Sequence, residues 1–103
     1  MSDKIVDPLD FAKALADETR QKIMRLCCCQ RLSVSEIVGA LHVSQPTVSH
    51  HLGILRAVGL VNVQREGKQI FYILNQEKIA SACCNIAENF APDQELIVIN
   101  PSE

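Results

Sequence analysis

Ser44-Gln45-Pro46-Thr47-Val48-Ser49-His50-His51-Leu52-Gly53-Ile54-Leu55-Arg56-Ala57-Val58-Gly59 is the stretch that decides the fold. Ser44 is a helix N-cap, because its hydroxyl can accept a backbone N–H left without a partner in the first turn. Pro46 is tolerated there, where no intrahelical N–H is lost. Val48, Leu52, Leu55 and Val58 recur at helical spacing as one apolar stripe. Gly59 stops the helix, and Leu60 can pack back. Gln45, Thr47, Ser49 and His50 face away from the stripe with amide, hydroxyl and imidazole groups.

Working upstream, Ser33-Val34-Ser35-Glu36 has the capping-box form, followed by an apolar stripe of Val34, Ile37, Val38 and Leu41. Only His42-Val43 separates this helix from the next. Asp17 caps an earlier helix carrying Ile23, Met24, Leu26 and Cys27, and Pro8 opens a first one with Leu9, Ala12, Leu15 and Ala16 on its pattern.

Downstream the period changes to two. Val61, Val63 and Arg65 alternate, Glu66-Gly67-Lys68 turns, and Gln69 to Leu74 is rich in strand formers, which predicts a hairpin. From Gln76 the helical pattern returns, with Ile79, Cys83, Ile86 and Phe90 on one stripe and Ala80, Cys84, Ala87 and Ala91 beside it. So wide an apolar arc asks for cover from its own domain and from a second chain. Pro92 ends it, and the apolar Leu96-Ile97-Val98-Ile99 that follows has no assigned place.

The expected fold is mainly α with a small β-hairpin: a winged helix-turn-helix of order α-α-α-α-β-β-α, with residues 1–92 as the domain and 93–103 as a C-terminal tail. In such a module the second helix of the pair lies in the DNA major groove and the first braces it. The predicted DNA face is Ser44, Gln45, Thr47, Ser49 and His50, with Arg65 and Lys68 on the wing. A winged-helix module that binds only protein is the alternative from another class.

Composition agrees. The chain has 103 residues, 48% hydrophobic and 21% charged, which fits one globular domain. No stretch reaches the roughly 18–20 apolar residues of a membrane span. Five cysteines without a secretion signal predict free thiols and a cytoplasmic location. The net charge of -2 hides a basic middle, net +4 over residues 11–75, between acidic ends. There is no Gly-rich phosphate loop, Cys-x-x-Cys pair or paired carboxylate set, so an enzyme is not expected. No cofactor is expected to be needed for folding.

The chain resembles the ArsR/SmtB family of metal-sensing repressors. The matching text is Ala14-Leu15-Ala16-Asp17-Glu18-Thr19-Arg20, Leu32-Ser33-Val34-Ser35-Glu36-Ile37, Ser44 to Leu52, Leu55-Arg56 to Gly59-Leu60-Val61, and Arg65-Glu66-Gly67-Lys68. The resemblance implies a homodimer built on the first and last helices and bound to double-stranded operator DNA with an inverted repeat. It also implies that a ligand lowers DNA affinity.

Known effector sites of the family do not carry over. Where some arsenite sensors have Cys-Val-Cys, this chain has Ser33-Val34-Ser35; the last-helix zinc positions hold Gln76, Lys78, Asn89 and Pro92; the persulfide-sensing positions hold Arg25 and Ala91. An N-terminal Cys-x-x-x-Cys arm is also missing. What remains is Cys27-Cys28-Cys29 near the end of the second helix and Cys83-Cys84 in the last. Adjacent helical residues point about 100° apart, so the triplet cannot close round an ion unless the helix ends within it. A three-thiolate site for arsenite or another soft ion needs thiols from both clusters or from a partner chain. Cys27 and Cys83 also fit core packing. A thiol-redox or persulfide switch is the competing use, with Lys22, Arg25 and Arg31 near the triplet expected to lower a thiol pKa.

Overall fold

The computed structural model describes residues 6–94. The elements are α1 (Pro8–Leu15), α2 (Glu18–Leu26), β1 (Leu32–Ser33), α3 (Val34–Leu41), α4 (Gln45–Val58), β2 (Val61–Glu66), β3 (Gln69–Leu74) and α5 (Gln76–Phe90). The winged helix-turn-helix expected from the pattern is present, with one addition. Leu32 and Ser33 pair with Tyr72 and Phe71, so the hairpin grows into an antiparallel sheet of order β1-β3-β2. Two residues are too few to show a period of two. The tail residues 96–99 lie outside the described residues.

The caps form where local chemistry placed them. Asp17 accepts from the Arg20 N–H at 3.0 Å to start α2. Ser33 and Glu36 make both halves of the capping box at the start of α3. Gly59 closes α4 at φ 91°, and the Leu60 N–H reaches back to the Leu55 carbonyl at 2.9 Å. In the hairpin, Glu66 pairs with Gln69 across a two-residue loop whose first position, Gly67, has φ 63°. That conformation is open to glycine without penalty and matches the strand twist.

The core gathers Phe11 and Ala14 of α1, Ile23 and Met24 of α2, Ile37 of α3, and Val48, Leu52 and Leu55 of α4, with Cys27, Leu60, Val61 and Ala82. Of the pattern predicted for α1, Leu15 is half-buried, while Leu9, Ala12 and Ala16 face out. Phe11 and Ala14 do the packing instead. On α5, Ala82 is buried and Ile79 and Ile86 pack beside it, whereas Cys83, Cys84 and Phe90 are exposed. α5 lies against α1, so the two helices keep outward apolar positions on neighbouring elements.

Candidate nucleic-acid interface

The turn between α3 and α4 is short because His42 takes the left-handed conformation, φ 58° and ψ 37°, and its N–H still bonds to the Val38 carbonyl at 2.8 Å. Reversal at that residue lets Val43 rest on the core while Ser44 begins the next helix. Ser44 Oγ accepts from the Thr47 N–H at 3.3 Å and donates to Thr47 Oγ1 at 2.8 Å. The Thr47 hydroxyl proton therefore remains available for an outside acceptor.

Every predicted contact residue at the start of α4 is solvent-exposed: Ser44, Gln45, Thr47, Ser49 and His50. Val48 and Leu52 from the same turns are buried. The helix thus presents a polar face at the end where its unpaired N–H groups also favour an anion. Arg65 and Lys68 are exposed on the wing.

Two arginines outside the predicted set hold the interface in place. Arg31 donates to Glu66 at 2.6 Å and its guanidinium lies 4.2 Å over the Phe71 ring, bracing the wing. Arg20 donates through Nε to the Ala14 carbonyl (2.9 Å), through Nη2 to the Lys13 carbonyl (2.9 Å), and through Nη1 to His51 Nδ1 (3.1 Å). Because a guanidinium only donates, Nδ1 of His51 must accept and the ring proton sits on Nε2. That nitrogen lies 3.9 Å from the Asp17 carboxylate. Burial pushes the His51 pKa down, with Arg20 and His50 pushing the same way and Asp17 opposing. The Asp17 carboxyl is held below the usual range, chiefly by the hydrogen bond from the Arg20 backbone. The Asp17-to-Arg20 spacing of three, one helical turn, signals the cap, whereas the Arg20–His51 contact, 31 residues apart, has no local signal.

The thiols separate by environment. Cys27 is wholly buried among the core, and desolvation pushes its pKa up to about 11. Cys28 is half-buried and Cys29 exposed, in the bend after α2, with their Sγ atoms 3.1 Å apart. The Cys28 pKa is raised, first by its contact with Cys29. The expected lowering by Lys22, Arg25 and Arg31 is therefore not found for Cys27 or Cys28. Arg31 is engaged with Glu66 and Phe71, and Lys22 pairs with Glu18 at 3.4 Å. Cys83 and Cys84 are exposed on α5. Among the described residues, no three His, Cys, Asp or Glu side chains gather as a metal site. At Ser33-Val34-Ser35, the Ser33 hydroxyl is taken by the capping box.

A braced polar helix beside a charged hairpin is the architecture of a winged helix-turn-helix regulator. Residues 17–63 match the profile described as bacterial regulatory protein, arsR family. The chain is 41% identical over 68 residues to the biofilm growth-associated repressor of Agrobacterium fabrum, covering 66% of this chain and 58% of that protein. It is 38% identical over 74 residues to the arsenic resistance transcriptional regulator ArsR2 of Pseudomonas putida, covering 71% and 64%. These matches span about three fifths of the curated relatives' length. Among solved structures, an ArsR-like transcriptional regulator from Rhodococcus sp. RHA1 superposes with a TM-score of 0.77 at 27% identity, covering 82% of this chain and 80% of that one. Reduced HlyU from Vibrio cholerae superposes at 0.64 with 33% identity, covering 81% and 86%. The chain belongs to the ArsR/SmtB family of transcriptional regulators, which are not enzymes. No helix among the described residues is long and apolar enough to cross a membrane.

Proposed function

We propose that this protein is a homodimeric transcriptional repressor that holds double-stranded operator DNA and releases it when cysteine thiols capture arsenite or another thiophilic ion. The observation that carries the DNA-binding reading is the exposed row Gln45, Thr47, Ser49 and His50 on a helix whose other side, Val48, Leu52 and Leu55, is locked in the core. Gln45 reads a base edge in the major groove, while Ser44, Thr47, Ser49, Arg65 and Lys68 meet the phosphate backbone and His50 reaches either. Dimerisation through α1 and α5 sets two such helices on an inverted repeat. The effector reading is supported by the four solvent-accessible thiols, Cys28, Cys29, Cys83 and Cys84, and by the arsenic-resistance name of one relative.

The test is a titration of reduced protein against the promoter upstream of its own gene, with and without arsenite, cadmium, zinc and a polysulfide. Binding that weakens steeply with salt, and is abolished by a soft ion and restored by a chelating dithiol, is the expected result. Release by polysulfide alone, reversed by any reductant, assigns a redox switch instead. Absence of salt-dependent DNA binding would make the module a protein-binding one.

A further inference from the structure

We propose that Arg31 is a positioning residue for DNA binding that acts through Glu66, offsetting the one carboxylate of the wing so that Arg65 and Lys68 meet phosphate without opposition. This rests on the DNA-binding reading above and adds to it a residue from outside both the recognition helix and the hairpin.

Residues 61–74, the two wing strands and their turn, hold two cations, Arg65 and Lys68, and a single carboxylate, Glu66. All three side chains are exposed, at the tip of the hairpin. Strand alternation sets Arg65 and Glu66 on opposite faces, so these neighbours do not offset each other. The cation that meets Glu66 comes from 35 positions earlier in the chain. Arg31 Nη2 donates to Glu66 Oε1 at 2.6 Å.

The fold seats Arg31 for this contact. Leu32 and Ser33 pair with Tyr72 and Phe71, which brings the preceding residue alongside β3. Phe71 in turn lies opposite Gln64, on the face that Glu66 shares. The Arg31 guanidinium rests 4.2 Å over the Phe71 ring, which fixes its plane and aims the N–H groups towards the carboxylate. The two-residue strand β1 thus delivers a cation to the wing.

The Arg31 and Glu66 side chains are 39% and 66% exposed, and so open a pair adds little to folding stability. Its consequence lies in the field at the tip. Left unpaired, Glu66 would halve the net positive charge that the hairpin offers to DNA. Its distance from Arg65 and Lys68 is short against a screening length of about 8 Å at physiological ionic strength, so a bound phosphate would feel all three charges.

The test measures the affinity of full-length protein for the promoter upstream of its own gene and for random-sequence DNA, by fluorescence anisotropy at low and high salt. Wild type is compared with Arg31→Gln, Arg31→Lys, and the double variant Arg31→Gln/Glu66→Gln, with circular dichroism to check folding. Arg31→Gln should weaken both DNAs alike, by about threefold to tenfold at low salt and by less at high salt. Arg31→Lys, which keeps the charge, should retain most of the affinity. The double variant should recover wild-type affinity, although it lacks both the ion pair and the guanidinium over Phe71. A purely structural brace would leave it as weak as Arg31→Gln, and so would a direct contact between Arg31 and phosphate. A double variant that stays weak, or an Arg31→Gln protein that binds as wild type does, overturns the proposal while wild-type DNA binding stands. Wild type without salt-dependent DNA binding overturns the DNA-binding reading and this assignment with it.

Discussion

Arg20 Nη1, on α2, donates to His51 Nδ1 at 3.1 Å in the middle of α4. The same guanidinium donates to the Lys13 and Ala14 carbonyls in the last turn of α1, and so ties α1 to α4. The proposed recognition helix is thus referenced directly to a helix of the proposed dimer interface, by one side chain with three directed donors. Lysine cannot reproduce that fork. Arg20→Lys is expected to destabilise the fold by about 1 kcal/mol, as partly buried acceptors lose charge-assisted partners. Urea denaturation measures this, and a double-mutant cycle with His51→Ala should return a coupling of about 1 kcal/mol. Strict additivity would show that the contact carries no energy.

The same geometry predicts a pH dependence. With its Nδ1 facing a guanidinium, His51 is neutral when folded, and burial lowers its pKa. The unfolded chain therefore binds the proton more readily, from an ordinary pKa of about 6.5. The contribution of neutral His51 is complete above that value and is lost as the pH falls below it, until the folded-state ring also protonates. Asp17, also depressed, acts in a separate and lower window: its contribution is present above the usual carboxylate pKa and is lost as the pH falls through the folded-state value. His51→Gln should flatten the decline in stability just below about pH 6.5 while leaving the more acidic limb in place. Parallel profiles for wild type and variant would refute this assignment.

How much was legible beforehand follows from the range of each interaction. Ser44, Pro46 and Gly59 bounded α4 correctly because caps are satisfied within four residues. β1 escaped notice because a two-residue strand has no periodicity, and its partners Tyr72 and Phe71 lie about forty positions away. Arg20 looked like one charge among several, since its acceptors include a side chain 31 residues on. The exposed polar face of α4 was readable as the complement of a buried stripe. The thiols were not, because whether Cys28 and Cys29 diverge or converge depends on α2 stopping at Leu26.

The turn before α4 holds a correctable strain. His42 is the only non-glycine residue with positive φ among the described residues, and the left-handed region costs an L-residue roughly 1–2 kcal/mol. Glycine removes that cost but gives up some as unfolded-state entropy. His42→Gly should therefore raise stability by about 0.5–1 kcal/mol, read as a higher denaturant midpoint. A lower midpoint would mean that the imidazole contributes more than its backbone costs.

On DNA, the helix and the wing should behave differently. Gln45→Ala removes a proposed base contact and should weaken the cognate site by ~1–3 kcal/mol with little change on random sequence. Arg65→Ala should weaken both alike and lower the salt slope by about one. Fluorescence anisotropy on both DNAs at several salt concentrations distinguishes them, and equal losses for Gln45→Ala would exclude base readout there.

Leu9 and Phe90 are 62% and 78% exposed, on α1 and α5, which pack against each other. Covering one such side chain is worth ~1.5–3 kcal/mol, and a twofold partner covers each of them twice over the whole interface. Phe90→Glu leaves the monomer core untouched, since Phe90 takes no part in it, but sets a charge where apolar contact is proposed. Analytical ultracentrifugation should find wild type dimeric and the variant shifted towards monomer, with an unchanged helical signal. Operator affinity should fall with the dimer, because two half-sites engaged by linked chains bind far more tightly than by separate ones. A variant that remains dimeric at the same concentration would place the subunit contact elsewhere on the molecule.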